Sequence, residues 1–232
     1  MKAIIKRALN FLRHSHIKKN IRCKSKWFGN KYGGFYVIPS LISKNAIVYS
    51  FGVGKDISFD RKLIDSFECQ IFAFDPTPDS IAWCKLQKLP KQFKFYEFGL
   101  SNKTENTTFF LPKNKDHVSG SVVEHDNVCP NNSVPVKMKS FIDILKYFKH
   151  ESIDLVKMDI EGSEYDVIES IVLSGINIKQ IVLEIHERFF QNGKEKTIKL
   201  LETLKKNDFL LHSISNSYEE LSFVHKKHIN LD

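Results

Sequence analysis

Long uncharged apolar stretches are missing from the sequence, and cysteines are few. No run of about 18 uncharged apolar residues occurs in the 232 residues, so we expect no membrane-spanning helix. The four cysteines lie far apart and form no CxxC pair, which argues against a zinc site or a disulfide framework. Basic residues interrupt the apolar part of the N-terminus, so the sequence does not predict a secretory signal. A reducing, cytoplasmic location is therefore the expectation.

Acidic residues are absent from positions 1–55, which contain twelve lysines and arginines. The rest of the chain holds 23 basic and 27 acidic residues, so the net charge of +8 comes from the N-terminus. Apolar residues at helical spacing between Lys2 and Lys19 predict an amphipathic helix. This helix would either pack on the domain or lie on an anionic membrane, peripheral to its inner face. No nucleic-acid-binding motif accompanies the charge, so we expect no nucleic acid partner.

Strand-like and helix-like segments alternate from residue 45 onward, as in a parallel sheet with helices on both faces. The predicted strands are 46–49, 71–74, 93–98, 154–158 and 181–183, with a late edge hairpin at 210–214 and 221–224. The predicted helices are 60–68, 79–88, 140–149, 163–174 and 194–206. We therefore expect a basic helical extension over 1–44 and one α/β domain over 45–232, with an insertion at about 101–138.

Residues that follow the predicted strands are the candidates for chemistry, because ligands bind at the carboxyl ends of parallel strands. Gly52 and Gly54 follow the first strand and allow a tight turn that a ligand can approach closely. Asp75 follows the second strand, 21 residues after Gly54, a spacing suited to hydrogen bonds with ribose hydroxyls. The chain has no GxGxxG or Walker loop, which disfavours NAD and ATP. The pattern predicts another nucleoside-containing cofactor.

Acidic residues and a histidine follow the fourth and fifth strands. Asp159 follows one strand, and Glu184 and His186 share a face at the end of the other. If these strands are neighbours, the three side chains converge at one edge of the sheet. Such a cluster can act as a general base or orient a substrate, bind a divalent cation, or only cap helices. We favour a metal-free base, because no compact ligand motif is visible.

Four segments together resemble the FkbM family of methyltransferases: 48–60, 72–78, 99–101 and 154–165. The similarity extends over about residues 33–190 and is most specific within the last segment. It implies an α/β class I methyltransferase fold, Rossmann-like, with a mostly parallel seven-stranded sheet. The implied strand order is 3-2-1-4-5-7-6 with an antiparallel seventh strand, which makes the fourth and fifth strands neighbours. The resemblance also implies S-adenosylmethionine as the methyl donor.

The resemblance assigns roles to individual residues. Asp75 would hold the ribose, and Asp159 would lie next to the transferred methyl group. Many members carry an acid where Ser50 stands, and we expect Asp56 to take over the contact to the cofactor's ammonium group. The complete set of residues expected to bind the cofactor is Ser50, Gly52, Gly54, Asp56, Asp75, Gly99, Leu100 and Ser101.

Members of this family mostly methylate hydroxyl oxygens, often on sugars or glycan precursors, so the resemblance implies O-methylation in polysaccharide biosynthesis. A sugar hydroxyl is a weak acid and benefits from a base, for which His186 and Asp159 are the candidates. The expected catalytic residues are Asp159, Glu184 and His186, and the expected acceptor-binding residues are Glu161, His117 and Ser119. Two alternatives stay open. The acceptor is a small phosphorylated metabolite or lipid, or the chain is a non-catalytic membrane- or nucleic-acid-binding protein with a degenerate cofactor fold.

Overall fold

The computed structural model describes residues 13–112 and 128–230 of the chain. Most of the expected N-terminal amphipathic helix, residues 2–12 of the range 2–19, therefore lies outside the described residues, and so do His117 and Ser119. Within the described ranges, no helix is both long and apolar enough to cross a membrane.

The described residues form twelve strands and five α-helices. The strands are β1 (Lys26–Gly29), β2 (Gly34–Val37), β3 (Ile47–Phe51), β4 (Gln70–Phe74), β5 (Phe93–Tyr96), β6 (Gly99–Ser101), β7 (Glu105–Pro112), β8 (Val128–Ser140), β9 (Ser152–Met158), β10 (Asn177–Glu184), β11 (Phe209–Ile214) and β12 (Glu220–His225). The helices are α1 (Ser58–Phe67), α2 (Pro78–Leu86), α3 (Phe141–Phe148), α4 (Glu164–Val172) and α5 (Gly193–Lys206).

Seven of these strands form one sheet, in the order β5-β4-β3-β9-β10-β12-β11. Neighbouring strands from β5 to β10 run parallel, while β12 runs antiparallel to both β10 and β11. This is the order 3-2-1-4-5-7-6 with an antiparallel seventh strand, so the expected fold class is confirmed. The carboxyl ends of β4, β3, β9 and β10 consequently lie side by side along one edge of the sheet.

Both faces of this sheet are buried, which explains why its strands read as continuous apolar runs. Tyr49 and Phe51 of β3 belong to the core on one face, together with residues of α3, α4 and α5. Val48 belongs to the core on the other face, with residues of α1 and α2. Because alternate side chains of a strand point to opposite faces, one strand supplies both cores. The sheet therefore carries helices on both faces, as predicted.

The segment expected to be an insertion, at about 101–138, contributes to a separate three-stranded sheet of order β6-β8-β7. β8 runs antiparallel to β7 and parallel to β6. Phe109 of β7 packs with Val136 and Met138 of β8 in a small apolar cluster. Only residues 97 and 98 separate the end of β5 from the start of β6. The three-stranded sheet therefore lies next to the carboxyl ends of the strands of the seven-stranded sheet.

Residues 1–44, expected to form a helical extension, contain a β-hairpin in their described part. β1 and β2 pair antiparallel, with Phe28 opposite Phe35 and Trp27 opposite Tyr36. Gly29 has a φ of +99°, and a Cβ there would lie 2.2 Å from the carbonyl oxygen of Gly33, so only glycine fits where the chain turns. Phe28 and Phe35 are buried in the core, which leaves Trp27 and Tyr36 on the opposite face of the hairpin.

Candidate active site

The turn after β3 is packed directly against the end of β9. Gly52 has a φ of +80°, and a Cβ there would lie 1.7 Å from the carbonyl oxygen of Asp159. Gly52 N donates to Phe74 O (3.0 Å) and Asp159 N donates to Phe51 O (3.0 Å), so the ends of β3, β4 and β9 are tied together. Gly54 has a φ of +57°, but a Cβ there would meet no atom within 4 Å. Close packing therefore requires glycine at Gly52, whereas only the backbone conformation favours it at Gly54.

The Asp75 carboxylate organises the same turn from the end of β4. Its Oδ2 accepts hydrogen bonds from Val53 N and Gly54 N, both at 2.9 Å. Its Oδ1 accepts from Thr77 N (2.9 Å) and Thr77 Oγ1 (2.7 Å), so all four acceptor positions of the carboxylate are in use. Thr77 Oγ1 also lies 2.8 Å from Ser80 Oγ. The Thr77 hydroxyl can therefore donate its hydrogen bond to Ser80 instead, which frees one acceptor position on Asp75 for a ribose hydroxyl.

A cleft of about 710 Å³ opens between the glycine turn and the three-stranded sheet. Five of the residues expected to bind the cofactor line it: Gly52, Gly54, Asp75, Gly99 and Leu100. Phe74, Phe109 and Met138 give it an apolar wall. Its mixture of apolar walls with a few polar groups is typical of small-molecule sites. Open space next to Gly54 also leaves backbone accessible to a ligand, so the cleft fits a nucleoside-containing cofactor.

Ser50, Asp56 and Ser101, all expected to bind the cofactor, are not among the residues that line this cleft. Asp56 accepts hydrogen bonds from Ser58 N (2.8 Å) and from Asn30 Nδ2 (2.7 Å). It therefore connects the start of α1 to the hairpin formed by β1 and β2. Ser101 Oγ accepts a hydrogen bond from Lys103 N (3.1 Å) and lines a smaller adjacent pocket.

Ser50 lies beneath the glycine turn, in a buried polar group that the sequence alone did not reveal. It is fully buried and is paired in register with Lys157 of β9. Lys157 Nζ donates to the carbonyl oxygens of Phe51 and Gly52. Burial raises the pKa of the nearby Asp60 carboxyl to about 6, although the charge of Lys157 and the Ser50 hydroxyl act in the opposite direction. A lysine inside an apolar strand was the available signal, since a buried charge needs partners.

Four carboxylates surround the His186 imidazole at the ends of β9 and β10. We call His186 together with Asp159, Glu161, Glu164 and Glu184 the carboxylate cluster. His186 Nε2 lies 3.3 Å from Glu161 Oε2, 3.7 Å from Glu184 Oε1 and 3.8 Å from Asp159 Oδ1. His186 Nδ1 lies 3.1 Å from Glu164 Oε1. The imidazole is 1% exposed, whereas Asp159 and Glu161 line the cofactor cleft. The structure thus brings Asp159, Glu184 and His186 together.

Glu164, which sequence reasoning did not single out, fixes the far side of the imidazole. It is buried at the start of α4. Its Oε1 accepts a hydrogen bond from Ile160 N (2.9 Å), and its Oε2 accepts one from Gly162 N (3.0 Å). The carboxylate therefore holds the turn between β9 and α4 in place and faces His186 from a fixed position. An acid in the first turn of the helix predicted over 163–174 was the visible signal.

The carboxylate cluster changes the protonation of its members. Burial acts to lower the pKa of His186, but Glu164 and Glu161 outweigh it and raise that pKa well above its usual value. Burial raises the pKa of Glu184, and the neighbouring Asp159 raises it further. Burial also raises the pKa of Asp159. His186 is therefore cationic at neutral pH, and the two carboxyl groups bind protons more tightly than exposed ones do.

The same geometry suits a divalent cation. Asp159, Glu184 and His186 each offer one ligand atom, and these atoms lie within 4.8 Å of one another. Carboxylate and imidazole ligands are compatible with Mg²⁺ or Mn²⁺. The metal-free and metal-bound interpretations differ in their expected response to a chelator.

Comparison with known proteins identifies the family. The Methyltransferase FkbM domain matches residues 41–211. "Probable methyltransferase-like protein 24" of Homo sapiens is 24% identical over 198 residues, which cover 81% of this chain and 47% of that protein. "2-O-methyltransferase NoeI" of Sinorhizobium fredii is 27% identical over 146 residues, which cover 56% of this chain and 60% of that protein. The chain thus matches about half the length of these curated relatives.

Among solved structures, the Methanococcus jannaschii fibrillarin pre-rRNA processing protein is similar to the chain with a TM-score of 0.49 and 11% identity, over 90% of this chain and 86% of that one. The family match covers most of the chain and includes the glycine turn, Asp75 and the whole carboxylate cluster. The protein therefore belongs to the FkbM methyltransferase family, with a class I methyltransferase fold and S-adenosylmethionine as its cofactor.

Proposed function

We propose that the protein transfers a methyl group from S-adenosylmethionine to a hydroxyl oxygen of a sugar or glycan precursor, as a step of polysaccharide biosynthesis. The observation that carries this proposal is the position of Asp159, which belongs both to the cofactor cleft and to the carboxylate cluster. The relative from Sinorhizobium fredii is named as a 2-O-methyltransferase, which supports an oxygen acceptor.

Methyl transfer to oxygen needs an aligned acceptor and a destination for the hydroxyl proton. When bound in the cleft lined by Gly52, Asp75 and Asp159, S-adenosylmethionine would supply an electrophilic methyl group and would leave as S-adenosylhomocysteine. Asp159 orients the hydroxyl beforehand and accepts its proton as that bond forms. Because burial raises the pKa of Asp159, its carboxylate is a stronger base than that of an ordinary aspartate.

Of the two candidate bases, Asp159 fits this role better than His186. An imidazole must be neutral to accept a proton, and the raised pKa of His186 keeps it protonated at neutral pH. The His186 side chain is also 1% exposed, whereas that of Asp159 is 31% exposed. We therefore assign His186 as a positioning residue, whose charge holds the surrounding carboxylates in place.

The charge of the carboxylate cluster supports a neutral acceptor over a phosphorylated one. Asp159, Glu161 and Glu184 all lie within 4 Å of the same imidazole nitrogen. A carboxylate that is ionised repels a phosphate 4 Å away by about 4 kcal/mol at an effective dielectric constant of about 20, and a protonated one gives no such repulsion. A sugar hydroxyl instead donates hydrogen bonds to the same oxygens.

Transfer of a labelled methyl group tests the proposed activity. The full chain is incubated with methyl-labelled S-adenosylmethionine and with a panel of neutral oligosaccharides that includes maltotetraose and chitotetraose, next to glucose 6-phosphate. We expect label on a neutral saccharide. Label on glucose 6-phosphate alone would favour the phosphorylated acceptor, and no labelled acceptor of either kind would contradict the proposal.

Asp159→Asn keeps the shape of the side chain and removes its basicity. We expect kcat to fall by about 10²–10⁴-fold, the usual contribution of a positioned base, with nearly unchanged affinity for S-adenosylhomocysteine in calorimetry. Asp65→Asn, at an exposed position of α1, is the matched control. A loss of less than about tenfold would remove Asp159 from the role of base. Activity that is lost in EDTA and restored by Mg²⁺ or Mn²⁺ would instead make the cluster a metal site.

We further propose that the basic N-terminal segment holds the protein at an anionic, cytoplasmic membrane surface. Ile17 is 4% exposed in the core, and Asn20 N donates to Leu211 O (2.8 Å), so the chain is part of the fold from about residue 17. Deleting residues 1–12 therefore tests the segment without opening the core. We expect the shortened protein to lose sedimentation with phosphatidylserine vesicles and to keep its cofactor affinity. Unchanged sedimentation would contradict the membrane role.

A further inference from the structure

A second groove, of about 1080 Å³, lies beside the carboxylate cluster on the side away from the cofactor cleft. One wall comes from the hairpin and contains the aromatic residues Trp27, Tyr32 and Tyr36 together with Lys31. The other wall includes Glu184, at the end of β10, and Glu220, at the start of β12. Glu184 belongs to both the groove and the carboxylate cluster, so the two are continuous.

The aromatic wall is not explained by core packing. The hairpin already buries one face through Phe28 and Phe35. Trp27 and Tyr36 form a cross-strand pair on the opposite face, with ring centroids 5.1 Å apart at 75°. A hydrogen bond from Trp27 Nε1 to Asn30 O (2.8 Å) fixes the indole. Aromatic residues held rigidly on a solvent-facing surface are typical of binding sites.

The opposite wall of the groove carries carboxylate groups that can form hydrogen bonds. Glu184 and Glu220 are directly paired in the register of β10 and β12. Ser215 and Ser217 donate to one oxygen of Glu220, which orients this carboxylate and leaves its other oxygen available to a ligand. Carboxylates accept hydrogen bonds from vicinal hydroxyls, while the apolar face of a pyranose packs on an aromatic ring.

The strand order gives the two sites a fixed sequence along the edge of the sheet. The cofactor cleft takes its residues from the ends of β4, β3 and β9. The groove takes its acidic residues from β10 and β12, which are the next strands in the order. Asp159 and Glu184 therefore stand at the junction, where an acceptor lying in the groove would meet the methyl donor.

We propose that this groove is the acceptor subsite for a neutral saccharide, in which a sugar ring stacks on Trp27 and Tyr36 and its hydroxyls bind Glu184 and Glu220. The inference rests on the proposed function and names where its substrate lies. The hairpin precedes the FkbM match, which begins at residue 41. The aromatic wall is thus a feature of this chain outside the matched domain, and it is suited to selecting the acceptor.

Intrinsic fluorescence tests the groove separately from catalysis. The chain has two tryptophans, and Trp83 is partly buried against the core, so Trp83→Phe leaves Trp27 as the single reporter. This variant is titrated with the neutral oligosaccharide panel in the presence of S-adenosylhomocysteine. We expect a saturable change in Trp27 emission with at least one saccharide. Tyr36→Ala in the same background should weaken that binding about tenfold, as the loss of an aromatic contact and its buried area predicts.

Tyr147→Ala is the matched control, because this tyrosine is 62% exposed on α3 and lies outside the groove. It should leave both emission and affinity unchanged. Glu220→Gln provides a second variant with little risk to folding, and it should weaken saccharide binding without altering the affinity for S-adenosylhomocysteine. In the labelled-methyl assay, Tyr36→Ala should raise the acceptor KM about tenfold and leave kcat nearly unchanged.

The outcomes separate this inference from the proposed function. Saccharide binding at Trp27 without any methyl transfer would support the groove and contradict the activity. Methyl transfer to a saccharide with the same KM in Tyr36→Ala and Glu220→Gln would support the activity and overturn the groove. No emission change with any member of the panel would also overturn it.

Discussion

The site consists of two halves, a cofactor half and a proposed acceptor half, and the two are stabilised in different ways. In the cofactor half, at the ends of β3 and β4, the Asp75 carboxylate and the turn backbone are matched to partners within the chain. Asp75 accepts four hydrogen bonds, and the Gly52 backbone packs on that of Asp159. In the proposed acceptor half, at the end of β10 and the start of β12, carboxylates face one another. Burial and like charge raise the pKa of Glu184 there.

This difference suggests how each half treats its ligand. The cofactor half is preorganised, since its backbone donors are already held by Asp75 before a ligand enters, which reduces the entropic cost of binding. The acceptor half keeps acceptor groups close together, and its donors include His186, Arg188 and the serines on Glu220. A ligand rich in hydroxyl groups can add donors to the remaining carboxylate oxygens.

Substitution of two glycines separates packing from ligand access within the cofactor half. Gly52→Ala places a Cβ 1.7 Å from a backbone oxygen at a positive φ, so we expect a loss of about 3–5 kcal/mol in the free energy of unfolding. Gly54→Ala meets no protein atom and should cost only about 1–2 kcal/mol for its left-handed backbone. Its methyl group points into open space at the cleft, however, and should weaken cofactor binding. Urea denaturation and calorimetry measure the two effects, and equal destabilisation by both variants would contradict this account.

Asp75→Ala tests whether preorganisation is the basis of cofactor binding. Removing an acceptor of four hydrogen bonds should lower the free energy of unfolding by about 2–4 kcal/mol, after partial replacement by water. Affinity for S-adenosylmethionine should fall about 30-fold or more. Asp79→Ala, whose exposed carboxylate pairs with Lys55, is the control and should change stability by less than about 1 kcal/mol. Full stability with lost affinity would show that Asp75 acts on the ribose directly, and unchanged affinity would remove it from the site.

The contrast between the halves also explains which features the sequence could predict. The strand order, the glycine turn and the position of Asp75 and Asp159 follow from apolar runs and the residues that end them, and the family resemblance adds the order of the sheet. Lys157 and Ser50 become a pair only through the register of β9 against β3, more than 100 residues away in the chain. Long-range register is not visible in local sequence patterns.

The hairpin was missed for a related reason. The twelve basic residues before Asp56 favour the interpretation of this segment as a charged helix. The alternation of Trp27, Phe28, Phe35 and Tyr36 around Gly33 is a strand pattern, but each strand has only four residues. Such short runs become strands when they find a surface to pack on, here α1 and the strands β10 and β12. Tertiary contacts therefore determine the secondary structure of this segment.

The pH dependence of the free energy of unfolding tests the close packing of carboxylates around His186 in the acceptor half. A group whose pKa is raised in the folded state stabilises the fold while it is protonated, and this stabilisation is lost as the pH rises towards that raised pKa. His186, Asp159 and Glu184 are all shifted in this direction. Around the imidazole, the facing charged groups also include Glu161 and Glu164.

We therefore expect the free energy of unfolding, measured in EDTA, to fall by about 1–2 kcal/mol between pH 7.5 and 8.5. Histidines with lowered pKa, such as His212, contribute little in this window, because their unfolded forms titrate below it, near pH 6.5. Glu184→Gln should flatten the profile, whereas Glu195→Gln, at an exposed position of α5, should not. A stability that rises with pH over this range would contradict the shifts and the crowding that causes them.

The smallest expected effect concerns Asp56, which lies between the two halves. Its carboxylate binds Ser58 N at the start of α1 and Asn30 Nδ2 in the hairpin. Asp56→Ala should cost about 1 kcal/mol of stability, as the loss of a helix-terminal acceptor does. Because the aromatic wall loses one of its ties to α1, saccharide affinity should fall a few-fold, while affinity for S-adenosylmethionine stays the same. Asn30→Ala removes the tie from the other side and should give the same pattern in calorimetry. If Asp56 instead binds the cofactor's ammonium group, Asp56→Ala will weaken cofactor binding about tenfold or more and Asn30→Ala will not, because only the aspartate carries the charge.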